Sequence, residues 1–227
     1  MKNLLILHGA IGSKEQFGLL KKQLENQYHT HVINFSGHGG EAFKTPFNIA
    51  QFADDVLVYL NQQHILSVDV FGYSMGGYVA LYLAKNAPDR INKIITLGTK
   101  FSWTSEIAQQ EIKMLDAEKI EEKIPAFAEL LKLRHAPNNW KEVLAKTAEM
   151  MLEMGQKNPL TLNDYETIRH QVKIGLADQD EMVTLEETMA VAEAIPHAQF
   201  YRLENSKHPI EKVNLQQLTQ EIVEFIK

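Results

Sequence analysis

The sequence of 227 residues contains no cysteine. This absence excludes a disulfide framework, a zinc–thiolate site and a cysteine nucleophile. Long apolar runs are also missing. The longest run near the start is Leu4–Leu7, which is too short for a signal-peptide core or a membrane span. We therefore expect a soluble, cytoplasmic protein with no membrane span.

Positive charge is in the minority. Lysine and arginine number 23 against 29 aspartates and glutamates, which gives a net charge of −6 at pH 7. A surface of this sign repels phosphate backbones and disfavours nucleic-acid binding. The only arginines are Arg90, Arg134, Arg169 and Arg202. None lies in a glycine-rich motif, which argues weakly against a polyanionic substrate held by an arginine clamp.

The remaining composition is ordinary, with 44% hydrophobic residues, and predicts one compact domain. Short β-rich runs alternate with amphipathic runs of helical length, a pattern typical of a parallel sheet with helices on its faces. The predicted strands are Leu4–Leu7, Val32–Phe35, Val68–Phe71, Ile94–Leu97, Val172–Ile174 and Phe200–Leu203. The main predicted helices are Glu15–Glu25, Ile49–Gln62, Met75–Lys85 and Leu215–Ile226.

Residues 101–168 break this alternation, because they are helical in pattern and carry no strand signal. We interpret them as a small helical lid inserted into a core of residues 1–100 and 169–227. Such a lid would lie over the carboxyl ends of the strands, where open α/β sheets bind ligands. Each apolar side chain of the segment is explained by packing alone. Together, however, Trp103 and the methionines Met150, Met151 and Met154 indicate an apolar lining beneath the lid.

The strongest local motif is Gly72-Tyr73-Ser74-Met75-Gly76-Gly77, between a predicted strand and a predicted helix. A tight strand–turn–helix connection of this kind projects a serine hydroxyl from a strained backbone, and it requires glycine where side chains would collide. The alternative is a glycine-rich turn whose Ser74 merely caps a helix. The strand–turn–helix context favours Ser74 as a nucleophile.

A second motif, His8-Gly9-Ala10-Ile11-Gly12, directly follows the first predicted strand. From there the loop is able to aim the backbone N–H of Ala10 at the space above Ser74, where the N–H of Met75 also points. Two such donors would form an oxyanion hole. We expect His8 to stabilise the turn by hydrogen bonding and not to act as a base. The glycine spacing does not match a dinucleotide-binding fingerprint.

A serine nucleophile needs a histidine to remove its proton. Among nine histidines, His208 follows the last predicted strand and so lies on the same edge of the sheet as Ser74. We predict that His208 is the base. His38, in the Gly37-His38-Gly39 turn, also faces this edge and suits a substrate-pocket or loop-structuring role.

The histidine in turn needs a carboxylate, and the loop after the predicted strand Val172–Ile174 offers Asp178 and Asp180. Met182 and Val183 should anchor this loop to the body of the protein. Asp180, three residues before Val183, is better placed to reach His208 and is our preferred acid. Asp178 remains the alternative. Whichever aspartate is not the acid is expected to be a solvated loop residue or a helix-start residue.

The resulting chain order is Ser74, Asp180, His208, which is the order of the α/β-hydrolase fold. From end to end the sequence resembles this superfamily, and it is most similar to small-lid, cofactor-free hydrolases with an HGxxG loop, a GHG turn and a GxSMGG elbow. The resemblance implies a mostly parallel central sheet flanked by helices, with the lid inserted before the acid-bearing strand. It also implies that Ser74 is the nucleophile, that His208 is general base and then acid, and that Asp180 orients His208. Ala10 and Met75 would supply the oxyanion N–H groups.

The resemblance leaves the substrate open, because this fold supports several chemistries with one triad. We expect a serine hydrolase that cleaves a small or medium, largely apolar carboxylic ester through an acyl-enzyme, with no cofactor and no metal. The alternatives are a thioesterase, a carbon–carbon bond hydrolase, and a non-catalytic receptor of the same fold. The expected partner is a small-molecule acyl substrate, and the expected assembly is a monomer or homodimer. Pocket contacts are expected from His38, Tyr73 and Trp103.

Overall fold

The computed structural model describes residues 1–227 and contains one sheet of six parallel strands. The strands are β1 (Lys2–Leu7), β2 (Tyr28–Ile33), β3 (Val68–Tyr73), β4 (Ile91–Leu97), β5 (Gln171–Gln179) and β6 (Gln199–Lys207). Their order across the sheet is β2-β1-β3-β4-β5-β6. Because every neighbouring pair is parallel, the loops that follow the carboxyl ends of the strands meet at one edge of the sheet.

Helices connect and cover the strands. Those outside the segment 101–168 are α1 (Gly18–Leu24), α2 (Ile49–Gln62), α3 (Met75–Asn86), α9 (Leu185–Ala194) and α10 (Leu215–Ile226). Those within the segment, which we call the insertion, are α4 (Ser105–Glu111), α5 (Ala117–Lys123), α6 (Pro125–His135), α7 (Trp140–Gln156) and α8 (Leu162–Tyr165). The insertion contains no strand, in line with its sequence pattern.

Both faces of the sheet are buried. In β1, Leu5 and Leu7 pack into a hydrophobic cluster with α2 and α3, whereas Leu4 and Ile6 pack on the opposite face with α1 and α10. Side chains of successive strand residues point to opposite faces, so a run of leucine and isoleucine suits a strand covered on both sides. The predicted parallel sheet flanked by helices is confirmed.

The second strand begins and ends earlier than predicted. It spans Tyr28–Ile33, not Val32–Phe35. Its residues His29, Thr30 and His31 are partly or fully exposed, because β2 is an edge strand, and their polarity hides the strand from an apolar pattern. Phe35 is fully buried, but it lies in the loop after the strand.

The last two strands are longer than predicted and bring two loops together. β5 continues to Gln179 and β6 to Lys207, and these two residues are partners across the ladder. An irregularity in the pairing lies between Ala177 and Gln179. The residues that follow next, Asp180 and His208, therefore leave the sheet side by side.

Candidate active site

Ser74 lies on the turn between β3 and α3 with a backbone φ of 51° and ψ of −119°. A non-glycine residue in this region costs on the order of 1–3 kcal/mol, so the surrounding structure must hold it there. The Ser74 N–H donates to the Leu97 carbonyl at 2.8 Å. The Thr99 hydroxyl donates to the Ser74 carbonyl at 3.0 Å. The tight, strained turn predicted from the motif is present.

Two glycines make this turn possible. A Cβ at Gly72 would lie 2.5 Å from the Cα of Gly77, and a Cβ at Gly76 would lie 2.4 Å from the Leu7 carbonyl oxygen. Both distances are far below van der Waals contact. The chain can therefore pass from β3 into α3 at this point only without side chains at these positions. The Ser74 hydroxyl makes no hydrogen bond to another protein group, and Ser74 lines the large cavity above the sheet.

His208 and Asp180 form a hydrogen-bonded pair at the same cavity. The distance from His208 Nδ1 to Asp180 Oδ2 is 2.8 Å, and the Asp180 side chain is fully buried. The other carboxylate oxygen, Oδ1, accepts the N–H groups of Met182 at 2.8 Å and Val183 at 2.9 Å. The Met182-Val183 segment therefore holds the carboxylate through its backbone.

The Asp180 carboxyl is ionised at neutral pH. Burial alone raises its pKa, but the hydrogen bond and charge of His208 and the two backbone donors outweigh burial, so that the net pKa is lowered. Because an ionised carboxylate only accepts hydrogen bonds, His208 Nδ1 carries the hydrogen between them. The other ring nitrogen, Nε2, makes no hydrogen bond to another protein group.

Asp178 does not contact His208. Its carboxylate accepts the N–H groups of Asn205 at 3.0 Å and Ser206 at 2.9 Å, and these donors lower its pKa. Asp178 is partly exposed, but it lies within β5 and not in a loop or at the start of a helix, where the sequence pattern had placed it. Because β5 extends past Asp178, this side chain lies within a strand and binds the backbone of the neighbouring strand that leads to His208.

Tyr73 lines the cavity, and its hydroxyl donates to the His208 carbonyl at 2.8 Å. The two rings are 5.6 Å apart between centroids. Burial raises the pKa of Tyr73, so the phenol remains a donor at all ordinary pH values. Tyr73 thus holds the peptide of His208, a contact that the sequence motif alone did not reveal.

Ala10 and Met75, the two residues expected to supply oxyanion donors, both lie beside Ser74. Ala10, Met75 and Ser74 line the same cavity. The loop of Ala10 lies against the turn so closely that a Cβ on Gly9 would be 3.1 Å from the Cβ of Ser74. Met75 is the first residue of α3, so its N–H has no partner within the helix. The Ala10 N–H is likewise not used by another protein group.

His8 is a buried hydrogen-bonding residue, as expected. Its Nδ1–H donates to the Gly9 carbonyl at 2.7 Å, and its Nε2 accepts the Phe35 N–H at 3.2 Å. Burial lowers the pKa of His8 to about 3, so the ring is neutral. It does not line the cavity.

His38 does not take the pocket position that the sequence suggested. The ring is fully buried, stacks on Phe47 at 5.4 Å between centroids and donates from Nδ1 to the Ser36 carbonyl at 3.1 Å. It is absent from the cavity lining. The His38 ring packs among Phe35, Phe47 and Phe52 in the interior. These contacts fit the alternative that His38 structures the loop.

The cavity has a volume of about 780 Å³, which lies in the range of small-molecule sites. Its apolar lining comes mainly from the insertion and includes Ile49, Trp103, Met114, Ile120, Phe127, Met150, Met151 and Met154. Among the expected pocket residues, Tyr73 and Trp103 are in this lining.

Charged side chains also reach the cavity, which composition did not indicate. Arg134 lies on its wall, donates to the Ile11 carbonyl at 3.0 Å and has only 9% of its side chain exposed. The lysines Lys113, Lys123 and Lys212 are exposed, line the cavity and have no carboxylate within 4.0 Å. No local motif marks Arg134, because its contact is with a loop more than 120 residues earlier in the chain.

We also searched the structure for a metal site and for a membrane-spanning helix. No group of three histidine, aspartate or glutamate side chains is close enough to hold a metal ion. None of the helices combines the length and apolar character needed to cross a membrane.

The matching family model carries the description alpha/beta hydrolase fold and covers residues 2–118. This range includes Ala10, Ser74 and Met75 and ends before Asp180 and His208. Among curated relatives, the pimeloyl-acyl carrier protein methyl ester esterase of Neisseria meningitidis serogroup B is 31% identical over 94 residues, which are 41% of this chain and 35% of that protein. The chain thus spans about a third of the length of this relative.

Solved structures with the same fold cover nearly the whole chain. A thermophilic esterase from Thermogutta terrifontis superposes with a TM-score of 0.76 at 21% identity, covering 100% of this chain and 89% of that one. An enol-lactonase from Burkholderia xenovorans LB400 superposes with a TM-score of 0.75 at 19% identity, covering 100% and 92%. At these identities the likeness establishes the fold alone.

Proposed function

Because the chain belongs to the alpha/beta hydrolase fold family, we propose that it is a serine hydrolase that cleaves a carboxylic ester. One observation carries the proposal. Ser74, on a strained turn with φ of 51°, shares a cavity with His208, whose Nδ1 is 2.8 Å from the buried carboxylate of Asp180. A serine, an imidazole and a carboxylate in this arrangement are the parts of a nucleophilic triad.

In the first half of the reaction, His208 Nε2 takes the proton of the Ser74 hydroxyl as the oxygen attacks the ester carbonyl carbon. The carbonyl π electrons move onto oxygen, and the N–H groups of Ala10 and Met75 stabilise the resulting oxyanion. Asp180 holds the imidazole in the required tautomer and stabilises the imidazolium. When the oxyanion collapses, the bond to the leaving alkoxide breaks, and His208 returns the proton to that oxygen.

In the second half, a water molecule attacks the acyl-enzyme on Ser74. His208 removes a proton from this water, the oxyanion forms in the same place, and the bond from the acyl carbon to Ser74 Oγ breaks. His208 then returns the proton to Ser74, so the enzyme is regenerated and the carboxylic acid leaves. Atoms and charges balance without a metal or an organic cofactor.

The apolar lining of the cavity supports a small or medium acyl group as the part of the substrate held beside Ser74. More than half of that lining comes from residues 101–168, so we propose that this segment acts as a lid over the site. Three methionines on one stretch of α7 present flexible, polarisable side chains, which adapt to chains of different shape.

A second candidate is an acyl group attached to an anionic carrier through an ester or thioester. The observation that favours it is the set of exposed lysines along the cavity, Lys113, Lys123 and Lys212, in a chain whose net charge is −6. The relative from Neisseria has an acyl carrier protein in its name, and exposed lysines would attract such a carrier if its surface is anionic. Turnover of matched oxyesters and thioesters, free and carrier-bound, separates the candidates.

We predict that Ser74→Ala lowers kcat for a nitrophenyl ester by about 10⁴- to 10⁶-fold, because the attacking oxygen is removed and only binding and the oxyanion donors remain. The measurement is ester turnover together with intact mass after exposure to a fluorophosphonate probe, which reacts with an activated serine. The parent chain should gain one adduct and Ser74→Ala none.

Ser102→Ala serves as the matched control, because Ser102 is exposed at the start of the insertion and makes no side-chain hydrogen bond. It should keep both turnover and labelling. An unlabelled parent that is correctly folded, or full esterase activity in Ser74→Ala, would show that Ser74 is not the nucleophile. The first of these results would favour a ligand-binding role for the cavity.

A further inference from the structure

The proposed oxyanion hole depends on a short loop that is not held by the sheet alone. The loop His8–Gly12 turns through a hydrogen bond from the Gly12 N–H to the Gly9 carbonyl at 3.1 Å. Ile11, next to Ala10, has a φ of 51°, which is strained for a β-branched residue. His8 fixes the inner side of the loop through the Gly9 carbonyl. The outer side is fixed at the Ile11 carbonyl.

Two donors from the end of α6 meet at that carbonyl. Arg134 Nη1 donates to it at 3.0 Å, and His135 Nε2 donates to it at 3.1 Å. The other ring nitrogen of His135, Nδ1, accepts the Gly39 N–H at 3.1 Å, which fixes the tautomer. His135 is fully buried, so its ring connects three segments: the insertion, the Ala10 loop and the turn at Gly39.

Arg134 also reaches the loop that carries the proposed base. Its Nη2 lies 3.4 Å from Glu211 Oε1, and Glu211 is three residues beyond His208. Gln16 donates to the same oxygen at 2.8 Å. A planar guanidinium with donors in a fixed fork suits such a bridge, because it binds a carbonyl and a carboxylate at once.

We propose that Arg134, supported by His135, is a positioning residue that holds the Ala10 N–H in the oxyanion hole, so that the seating of α6 determines catalytic competence. This inference rests on the proposed function of Ser74. Arg134 acts through the Ile11 carbonyl and touches no reacting atom. The insertion then does more than line the cavity, since it completes the part of the site where negative charge develops.

The test compares Arg134→Met with Arg90→Met. Arg90 also donates to two backbone carbonyls, Leu66 at 2.8 Å and Ile65 at 3.1 Å, but these lie away from the cavity. We expect Arg134→Met to lower kcat by about 10- to 100-fold while KM changes less than about threefold, because a displaced oxyanion donor weakens the transition state and not the ground state. A trifluoromethyl ketone, whose serine adduct carries an oxyanion, should lose affinity in parallel with kcat. Arg90→Met should leave all three values unchanged.

Amide hydrogen exchange of the segment 5–17 provides a readout that does not require activity. Faster exchange in Arg134→Met than in Arg90→Met shows that Arg134 holds the Ala10 loop, and it does so whether or not the parent hydrolyses esters, so a failure of the proposed function is distinguished from a failure of the contact. Equal exchange in the two variants overturns the inference. So does a KM that rises with kcat unchanged, because Arg134 would then bind the substrate directly.

Discussion

Asp178 and Asp180 are two residues apart, yet their carboxylates bind different partners. Asp180 accepts the His208 ring at 2.8 Å, whereas Asp178 accepts the backbone of Asn205 and Ser206 at 3.0 and 2.9 Å. The Asp180 carboxylate binds the imidazole of His208, and the Asp178 carboxylate binds the backbone of β6, the strand that leads to His208. The contacts favour Asp180 as the acid of the proposed triad.

We predict unequal losses when each aspartate becomes asparagine. Asp180→Asn should lower kcat by about 10³- to 10⁴-fold, because the amide favours the wrong imidazole tautomer and no longer stabilises the imidazolium. Asp178→Asn retains one acceptor oxygen of two, so kcat should fall by less than about tenfold. Turnover of one ester by both variants, with thermal unfolding as a check on folding, measures the difference. A larger loss in Asp178→Asn would assign the acid role to Asp178.

Among the elements, α7 contributes most to the apolar wall of the cavity, through Met150, Met151 and Met154. We predict that Met151→Trp reduces the volume of the cavity that is available to the acyl chain of the substrate. The ratio of kcat/KM for a decanoyl ester to that for an acetyl ester should fall at least about tenfold, because overfilling a packed site costs about 1–3 kcal/mol. Rates across a series of nitrophenyl esters test this.

Leu152→Trp is the control for this change, since Leu152 is the next residue of α7 and does not line the cavity. It should lower the rates for all chain lengths to the same small extent or not at all. If Met151→Trp behaves in the same way, with no dependence on chain length, the α7 wall does not contact the acyl group.

The elements that sequence patterns predict well are those whose periodicity reflects their burial. Helices α2 and α10 have the predicted bounds, because each has one apolar stripe and a sharp asparagine cap, at Asn48 and Asn214. Patterns fail where tertiary context decides the boundary. The polar edge strand β2 and the polar ends of β5 and β6 become strands through pairing with their neighbours, which no local pattern contains.

The same distinction applies to the site. Ser74 and its glycines form a contiguous motif, and the chain order of Asp180 and His208 follows from the order of the strands. The resemblance to the alpha/beta hydrolase superfamily is confirmed. Other features of the site depend on contacts between residues far apart in the chain, which no local pattern contains. These are the stacking of His38 on Phe47, the hydrogen bond from Tyr73 to the His208 carbonyl, and the contact of Arg134 with Ile11.

At the scale of the whole molecule, His8, His38 and His135 form a buried cluster that links the core to the insertion. Ring centroids are 5.1 Å apart for His8 and His38, and 5.9 Å apart for His38 and His135. Burial is the main cause that lowers all three pKa values, to about 3 for His8 and about 4 for His135, and well below the usual value for His38. All three rings are therefore neutral in the folded protein near pH 7.

This cluster makes the folded protein sensitive to acid. The pKa of His135 is about 4 when folded and near 6.5 when unfolded, so the unfolded chain binds the proton first as pH falls. Stability is retained above pH 6.5 and declines towards pH 4, by up to about 1.4 kcal/mol per pH unit for each such histidine. We predict that His135→Gln reduces the change in the free energy of unfolding per pH unit over this range.

Urea unfolding at pH 7, 6 and 5, followed by circular dichroism, measures the slope. His29→Gln is the control, because His29 is exposed on β2 and outside the cluster, and its slope should match that of the parent. A parental slope in His135→Gln as well would mean that His135 binds its proton equally in both states.

The proposed base, His208, is carried by an edge strand of the sheet, whereas Ser74 is carried by a central one. β6 is an edge strand that pairs only with β5, and His208 follows its last residue. The edge of a sheet opens before its centre, because an edge strand is held by one neighbour only. Ser74, in contrast, lies on the central strand β3. A molecule that frays at this edge can thus keep the complete turn of Ser74 and lose His208, so that the proposed hydrolysis would be the first property lost while most of the fold is intact.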